Sequence, residues 1–167
     1  MSQAGRESSS ADLRPEAGSA RAGSSGATRW VPAILAVSFV VSVVHYADNT
    51  VRFDRYALNP DSPVANAPWS VPLAWVVLTA VGLVGLLAYR AGNWWRAVGA
   101  FAVYSVSGLV SAVHYTDAPP SAFDGLQNTL IVADLVAGVA VVGLALWVMF
   151  RRALVADAQA GAARLRG

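Results

Sequence analysis

Four long apolar segments dominate this sequence. They lie at about residues 30–46, 71–89, 97–115 and 126–150. Each is close to or above the roughly 18 to 20 residues that a helix needs to cross a hydrocarbon layer about 30 Å thick. Helices of soluble bundles carry a polar stripe, and these segments have almost none. The pattern predicts an all-α integral membrane four-helix bundle.

The overall composition supports a membrane protein. Hydrophobic residues make up 56% of the chain and charged residues 13%, against about 45–50% and 25% in soluble domains. The net charge of +2 is too small to indicate a nucleic-acid partner. The absence of cysteine excludes disulfides, thiolate metal sites and cysteine nucleophiles. All twelve basic residues are Arg, which is typical of GC-rich bacterial genomes.

The chain divides into three regions. Residues 1–28 are rich in Ser, Gly and Ala and nearly free of large apolar side chains, so we predict a disordered N-terminal tail. Residues 29–152 form the predicted four-helix transmembrane domain. Residues 153–167 form a predicted short cytoplasmic C-terminal tail.

The distribution of arginine predicts the orientation. Ten of the twelve lie before the first apolar segment, between the second and third, or after the fourth, and only Arg52 and Arg55 lie in the other loops. Positively charged short loops stay in the cytoplasm. We therefore expect a multi-pass protein of the inner (plasma) membrane with both termini in the cytoplasm.

An internal repeat links the first and third segments. Residues 37–48 and 106–117 match at eight of twelve positions, including His-Tyr-x-Asp at the end of each copy. In each copy two Ser residues and the His follow a spacing that puts them on one helix face. The match predicts two parallel-repeat helical hairpins, with His45 and His114 pointing toward each other at the outer end of the bundle.

The fourth segment carries a single acid, Asp134. An ionisable residue inside an apolar helix faces the bundle interior or a wet cavity in nearly all cases and indicates a functional site. Its predicted partners are His45 and His114, one or two turns away.

Three functional hypotheses follow from these residues. The first, which we favour, is a cavity for a small apolar or amphipathic ligand near the outer face, with His45, Tyr46, His114, Tyr115 and Asp134 as binding residues. The second is a metal ion held by His45, His114 and Asp134, or a haem held by the two histidines. The third is a structural or accessory subunit, in which the His-Tyr pairs only anchor helix ends at the interface.

Several features of these hypotheses stay open. The cofactor is unknown: the chain could bind none, a metal ion or a haem. Besides the lipid bilayer, the expected partner is the small ligand, a second copy of the chain or a larger membrane complex. No Walker loop, dinucleotide fingerprint, serine elbow or zincin helix is present. Catalytic residues are therefore unknown, and we expect binding rather than catalysis.

Two family resemblances accompany these residues. The chain contains His45-Tyr46, Asp48-Asn49, a Pro-rich loop that ends at Pro68-Trp69, Tyr104-Ser105, Gly108, His114-Tyr115 and Asp134. Over about residues 30–150 this pattern resembles uncharacterised four-helix integral membrane proteins of bacteria with a repeated His-Tyr motif.

The second resemblance is more remote. It rests on four short matches, at Pro68-Trp69, Ala88-Tyr89, Trp95-Arg96 and Tyr104-Ser105-Val106. In these residues the chain is similar to the EXPERA group, which includes emopamil-binding sterol isomerases and the sigma-2 receptor. That resemblance implies a helical membrane bundle that binds sterol-like or cationic amphipathic ligands, with Asp48 as the ligand-binding acid near the end of the first helix. The second segment has no acid where that group has Glu.

Overall fold

The computed structural model describes residues 19–57, 59, 61 and 67–166, and this part of the chain is helical with no strand. The α-helices are α1 (Ser19–Val51), α2 (Phe53–Tyr56), α3 (Ser70–Arg90), α4 (Trp94–Leu109), α5 (His114–Asp117) and α6 (Gly125–Arg164). Two 3₁₀ turns, Val110–Val113 and Pro120–Ala122, flank α5. The prediction of an all-α fold with four long apolar helices is confirmed.

The four long helices pack side by side, with α1 and α4 each contacting both α3 and α6. A tight turn at Ala91–Asn93 joins α3 to α4, with Gly92 at a φ of 75°, a conformation that favours glycine. The end formed by residues 45–57, 67–74 and 110–128 is called here the histidine end. The opposite end, formed by residues 29–31, 88–97 and 147–166, is the arginine end.

Large apolar side chains cover the outside of the helices as well as their contacts. The buried core contains Val31, Phe101, Tyr104, Val141 and Val148. Leu83, Val136 and many other large apolar residues are exposed on the outer faces, at 56% and 62% for these two. A surface of this kind is the one expected of helices whose outer faces contact lipid.

Small residues allow the closest helix contacts. A Cβ added at Gly108 of α4 would lie 2.7 Å from the backbone nitrogen of Gly138 on α6. Ser38 of α1 donates a hydrogen bond to the backbone oxygen of Ala137 at 3.5 Å. The α6 helix therefore has a small-residue face against both of its neighbours, as in close packing between membrane helices.

The helix bounds differ from the apolar segments. The α1 helix begins at Ser19, and the predicted tail lies outside the described residues as far as residue 18. The α6 helix continues past Phe150 to Arg164, through exposed residues rich in Ala, a strong helix former. The third segment is not one regular helix, because the backbone tightens at Val110–Val113 before His114.

Candidate functional site

A cavity of about 250 Å³ lies at the histidine end, between the last turns of α1, the start of α3 and the segment leading from α4 into α5. Its polar lining consists of His45, Tyr46, Asn49, Tyr56, Ser70, Ser111, His114 and Asp117. Its apolar lining includes Phe53, Val71, Ala74, Val110 and Val113. Apart from Ser70 at the start of α3, the polar groups come from α1, α2 and the segment from Ser111 to Asp117, whereas Val71 and Ala74 make the rest of the α3 side apolar.

The two histidines lie next to each other in this cavity. Their ring centroids are 5.7 Å apart, with the rings nearly edge to face. His45 is 2% exposed, and its Nδ1 has no hydrogen-bond partner among the described residues. Asn49 Nδ2 donates to His114 Nε2 at 3.2 Å, which requires a neutral His114 imidazole with its proton on Nδ1.

Tyr56 covers the histidine pair from the loop side. It belongs to the short helix α2, is 1% exposed, and its ring centroid lies 5.1 Å from that of His114 and 5.8 Å from that of His45. Its hydroxyl donates to Asp48 Oδ2 at 2.6 Å. Burial of the ring is the main cause that raises the pKa of Tyr56, and the hydrogen bond to Asp48 raises it further. The tyrosine therefore stays protonated and keeps the loop folded over the site.

A chain of ion pairs holds the same loop in place. Arg52 donates to both carboxylate oxygens of Asp48, at 2.9 and 2.6 Å, and to Asp124 Oδ2 at 2.9 Å. The hydrogen bonding that Arg52 donates to Asp48 is the main cause that raises the pKa of Arg52. Asp124 is also the N-cap of α6, and the Gln127 backbone N–H is the main cause that lowers the pKa of this carboxyl. One arginine thus connects the end of α1 to the start of α6.

Asp134 lies behind the cavity wall and does not line the cavity. It is 1% exposed and accepts a hydrogen bond from Ser111 at 2.7 Å, and Ser111 does line the cavity. Its other carboxylate oxygen has no partner in the described part of the chain. The carboxylate can act on the cavity through the orientation of the Ser111 hydroxyl.

The structure also separates the two tyrosines of the repeat. Tyr46 lines the cavity, and its hydroxyl donates to the backbone oxygen of Ser107 on α4 at 2.9 Å. Tyr115 lies outside the cavity, where its hydroxyl donates to Asn128 at 2.9 Å and its ring packs against Phe123. The matching sequence positions therefore have different surroundings.

His45, Tyr46 and His114 are the sequence-predicted site residues that the fold brings into one cavity. Within residues 19–57, 59, 61 and 67–166, no three His, Cys, Asp or Glu side chains are grouped in a way that could hold a metal ion. Sequence reasoning missed Asn49 and Tyr56 as cavity residues. The available signal was their spacing from His45, because Asn49 lies about one helical turn after it and Tyr56 about three turns after it.

Comparison of the chain with protein families, curated proteins and solved structures found no match. Asp48, which the EXPERA resemblance implies as a ligand-binding acid, is bonded to Arg52 and Tyr56.

Proposed function

We propose that this protein is a multi-pass membrane protein that binds a small amphipathic ligand in the cavity at the histidine end. The membrane part is supported by four helices long and apolar enough to cross a bilayer and by their apolar outer faces. The ligand part is carried by one observation, a cavity with apolar walls and a buried histidine whose Nδ1 lacks a partner among the described residues.

The lining defines the ligand chemistry. Val71, Ala74, Val110 and Val113 offer only apolar contact, whereas His45 presents an imidazole that donates or accepts according to its tautomer. A ligand with an apolar body and one hydroxyl or carbonyl group satisfies both walls. A buried polar atom without a partner costs free energy, so a ligand group that bonds His45 gains affinity from the site.

A second groove supports access from the lipid phase. It has a volume of about 340 Å³, lies between α1 and α3, and is lined mainly by apolar residues that include Val43, Pro72 and Trp75. Tyr46 lines both this groove and the cavity. The tyrosine therefore stands between the histidine pair and the side of the molecule that faces lipid.

The test uses a photoactivatable diazirine derivative of decanol, which combines an apolar chain with one hydroxyl. The purified protein is labelled in detergent, and the labelled residues are mapped by mass spectrometry with and without excess decanol. We expect the probe to label residues that line the cavity and excess decanol to suppress this labelling. In an Ala74→Trp variant the indole fills the cavity, so labelling of the lining should fall about tenfold. Labelling confined to outward-facing residues such as Val76 and Val77 would overturn the ligand site.

The matched control is Ala80→Trp. Ala74 and Ala80 are both exposed alanines of α3, but only Ala74 lines the cavity. The control variant should keep the labelling pattern of the wild type. Equal loss in both variants would show that an added indole on α3 acts through the fold and not by filling the cavity.

The adjacent histidines favour one competing function, in which they hold a metal ion or haem. Elemental analysis of the same preparation, beside a His45→Ala/His114→Ala variant, separates the two. We expect no metal in proportion to protein. About one equivalent of iron, copper or zinc that the double variant loses would replace the ligand proposal.

A further inference from the structure

A second polar cavity lies at the arginine end, far from the histidines. It has a volume of about 220 Å³ and is formed where α3 ends, α4 begins and α6 leaves its apolar part. Its lining includes Tyr89, Trp94, Trp147, Val148, Arg151 and Arg152. Among the described residues, no acidic side chain lines it.

Both arginines are stacked on tryptophans in this cavity. The guanidinium carbon of Arg152 lies 3.9 Å from the Trp94 ring centroid, and that of Arg151 lies 5.2 Å from the Trp147 ring centroid. Tyr89 packs edge to face against Trp94 at 5.0 Å. Stacking fixes the planes of the guanidinium groups and leaves their edge N–H groups available for an acceptor.

Two buried donors in this cavity lack an acceptor in the part of the chain that the structure describes. Arg152 Nε and Trp94 Nε1 are both buried without a hydrogen-bond partner among the described residues. Among the described residues, the arginines that form ion pairs are Arg52 and Arg55, which lie at the histidine end. Both groups can only donate, so the molecule that satisfies them must supply acceptor oxygens, and the charge on Arg152 favours an anion.

We infer that this cavity binds the phosphate group of an anionic phospholipid. A phosphate diester offers acceptor oxygens that match the arginine fork. The apolar surface of Trp147 and Val148 suits the glycerol and upper acyl chain of the same molecule. Basic pockets between helix ends at the cytoplasmic side of a membrane bind lipid headgroups in this way.

The inference rests on the membrane insertion proposed above, but not on the ligand cavity. The protein is reconstituted in nanodiscs that contain phosphatidylglycerol and phosphatidylcholine at equal amounts, released into detergent, and examined by native mass spectrometry. We expect the wild type to retain phosphatidylglycerol in preference to phosphatidylcholine. In Arg152→Gln the retained phosphatidylglycerol should fall about tenfold, the effect of losing a charge-assisted hydrogen bond.

The matched control is Arg96→Gln. Arg96 is an exposed arginine of α4 at the same end, two residues after Trp94, and it does not line the cavity. This variant loses the same charge and should retain phosphatidylglycerol as the wild type does. An equal loss in both variants would mean that general surface charge attracts the lipid, and would overturn the site.

A milder variant, Trp94→Phe, keeps an aromatic ring under Arg152 and removes only the indole N–H. It should weaken retention of phosphatidylglycerol by a smaller factor than Arg152→Gln, and it remains informative if Arg152→Gln fails to fold. Unchanged retention in Trp94→Phe would contradict a role for this donor.

Two further outcomes separate the sources of phosphate and the two proposals. Displacement of the bound lipid by millimolar inorganic phosphate would mean that the site takes a free anion, and would overturn the lipid assignment. A protein that alkaline carbonate extracts from membranes would overturn membrane insertion and this inference together. A membrane-embedded protein without preference for phosphatidylglycerol would overturn this inference alone.

Discussion

The carboxylate of Asp124 takes part in both a helix cap and an ion pair. One oxygen accepts from the backbone N–H of Gln127 at 2.8 Å and caps α6, and the other accepts from Arg52 at 2.9 Å. Gln127 completes a capping box by accepting from the backbone N–H of Asp124. The residue therefore couples the start of α6 to the loop that covers the histidine cavity.

This coupling predicts an acid-sensitive contribution to stability. The pKa of Asp124 is lowered in the folded protein, first by the Gln127 backbone N–H and also by Arg52, so its contribution is present above the unfolded pKa of about 3.9 and is lost as the pH falls through the lowered value. In Asp124→Asn the cap is kept, because Asn caps as well as Asp, but the ion pair is removed. We expect a lower thermal midpoint for the variant than for the wild type at pH 7, and a difference that shrinks as the pH falls below about 3.9 toward the lowered pKa.

The measurement is thermal unfolding in detergent from pH 7 to pH 3. Asp54→Asn is the control, because Asp54 is an exposed acid of α2 without an ion pair among the described residues. Its difference from the wild type should not change over this range. A difference between wild type and Asp124→Asn that stays the same from pH 7 to pH 3 would contradict the ionic contribution.

The candidate site could be predicted only in part from individual residues. His45 and His114 were predicted to meet because they end two matching segments that run in the same direction, and their rings are 5.7 Å apart. Asp134 was placed near them by its depth along the helix, but depth does not give the direction of a side chain around the bundle. In the structure its side chain lies behind the cavity wall, where it accepts a hydrogen bond from Ser111 at 2.7 Å.

At the scale of the elements, α4 and α6 come into backbone-to-backbone contact at Gly108 and Gly138. A Cβ added at Gly108 would meet the backbone oxygen of Asp134 and would lie 2.8 Å from Gly138 Cα. Backbone atoms cannot rotate away as a side chain end can. The contact therefore sets the distance between the two helices just below Ser111 and Asp134.

We predict that Gly108→Ala destabilises the protein by about 1–3 kcal/mol, the usual cost of overpacking. Gly99→Ala on α4 and Gly143→Ala on α6 are the controls, since a Cβ at either position meets no atom of the described residues within 4 Å. The stability of all three is compared by unfolding in mixed micelles. A Gly108→Ala protein as stable as the controls would contradict the close contact.

The 3₁₀ turn at Val110–Val113 was not predicted. Its residues are apolar or small and continue the pattern of the third segment, so the sequence favours an uninterrupted helix. The turn lies directly after the Gly108 contact and directly before His114. A change from 3.6 to 3.0 residues per turn rotates the side chains that follow it, which gives His114 different surroundings from His45 despite the matching sequence.

At the scale of the whole molecule, the two ends differ in charge. The arginine end contains Arg90, Arg96, Arg151 and Arg152, whereas the histidine end has Arg52 and Arg55 together with several Asp residues. For the proposed membrane insertion, the positive-inside rule predicts that the histidine cavity faces the outer side and that the cavity at the arginine end faces the cytoplasm.

This orientation is tested with single cysteines, which the natural chain lacks. Cysteines at the exposed positions Asp61 and Ser121 should react with an impermeant thiol reagent in intact cells. A cysteine at Gln159, exposed near the end of α6, should react only after the cells are permeabilised. Protection at the first two positions with reaction at the third would reverse the orientation.

The sequence by itself determined the number of long helices and the residues most worth attention. Apolar length and composition are local properties, and a 20-residue apolar segment has few alternatives to a helix. Which polar side chains share a cavity was decided by the tertiary structure. Cavity membership depends on helix rotation, and here the Gly108–Gly138 contact, the 3₁₀ turn and the loop fastened by Arg52 set that rotation. The Gly108–Gly138 contact and the Arg52–Asp124 ion pair join residues distant in the chain, so no local pattern predicts them.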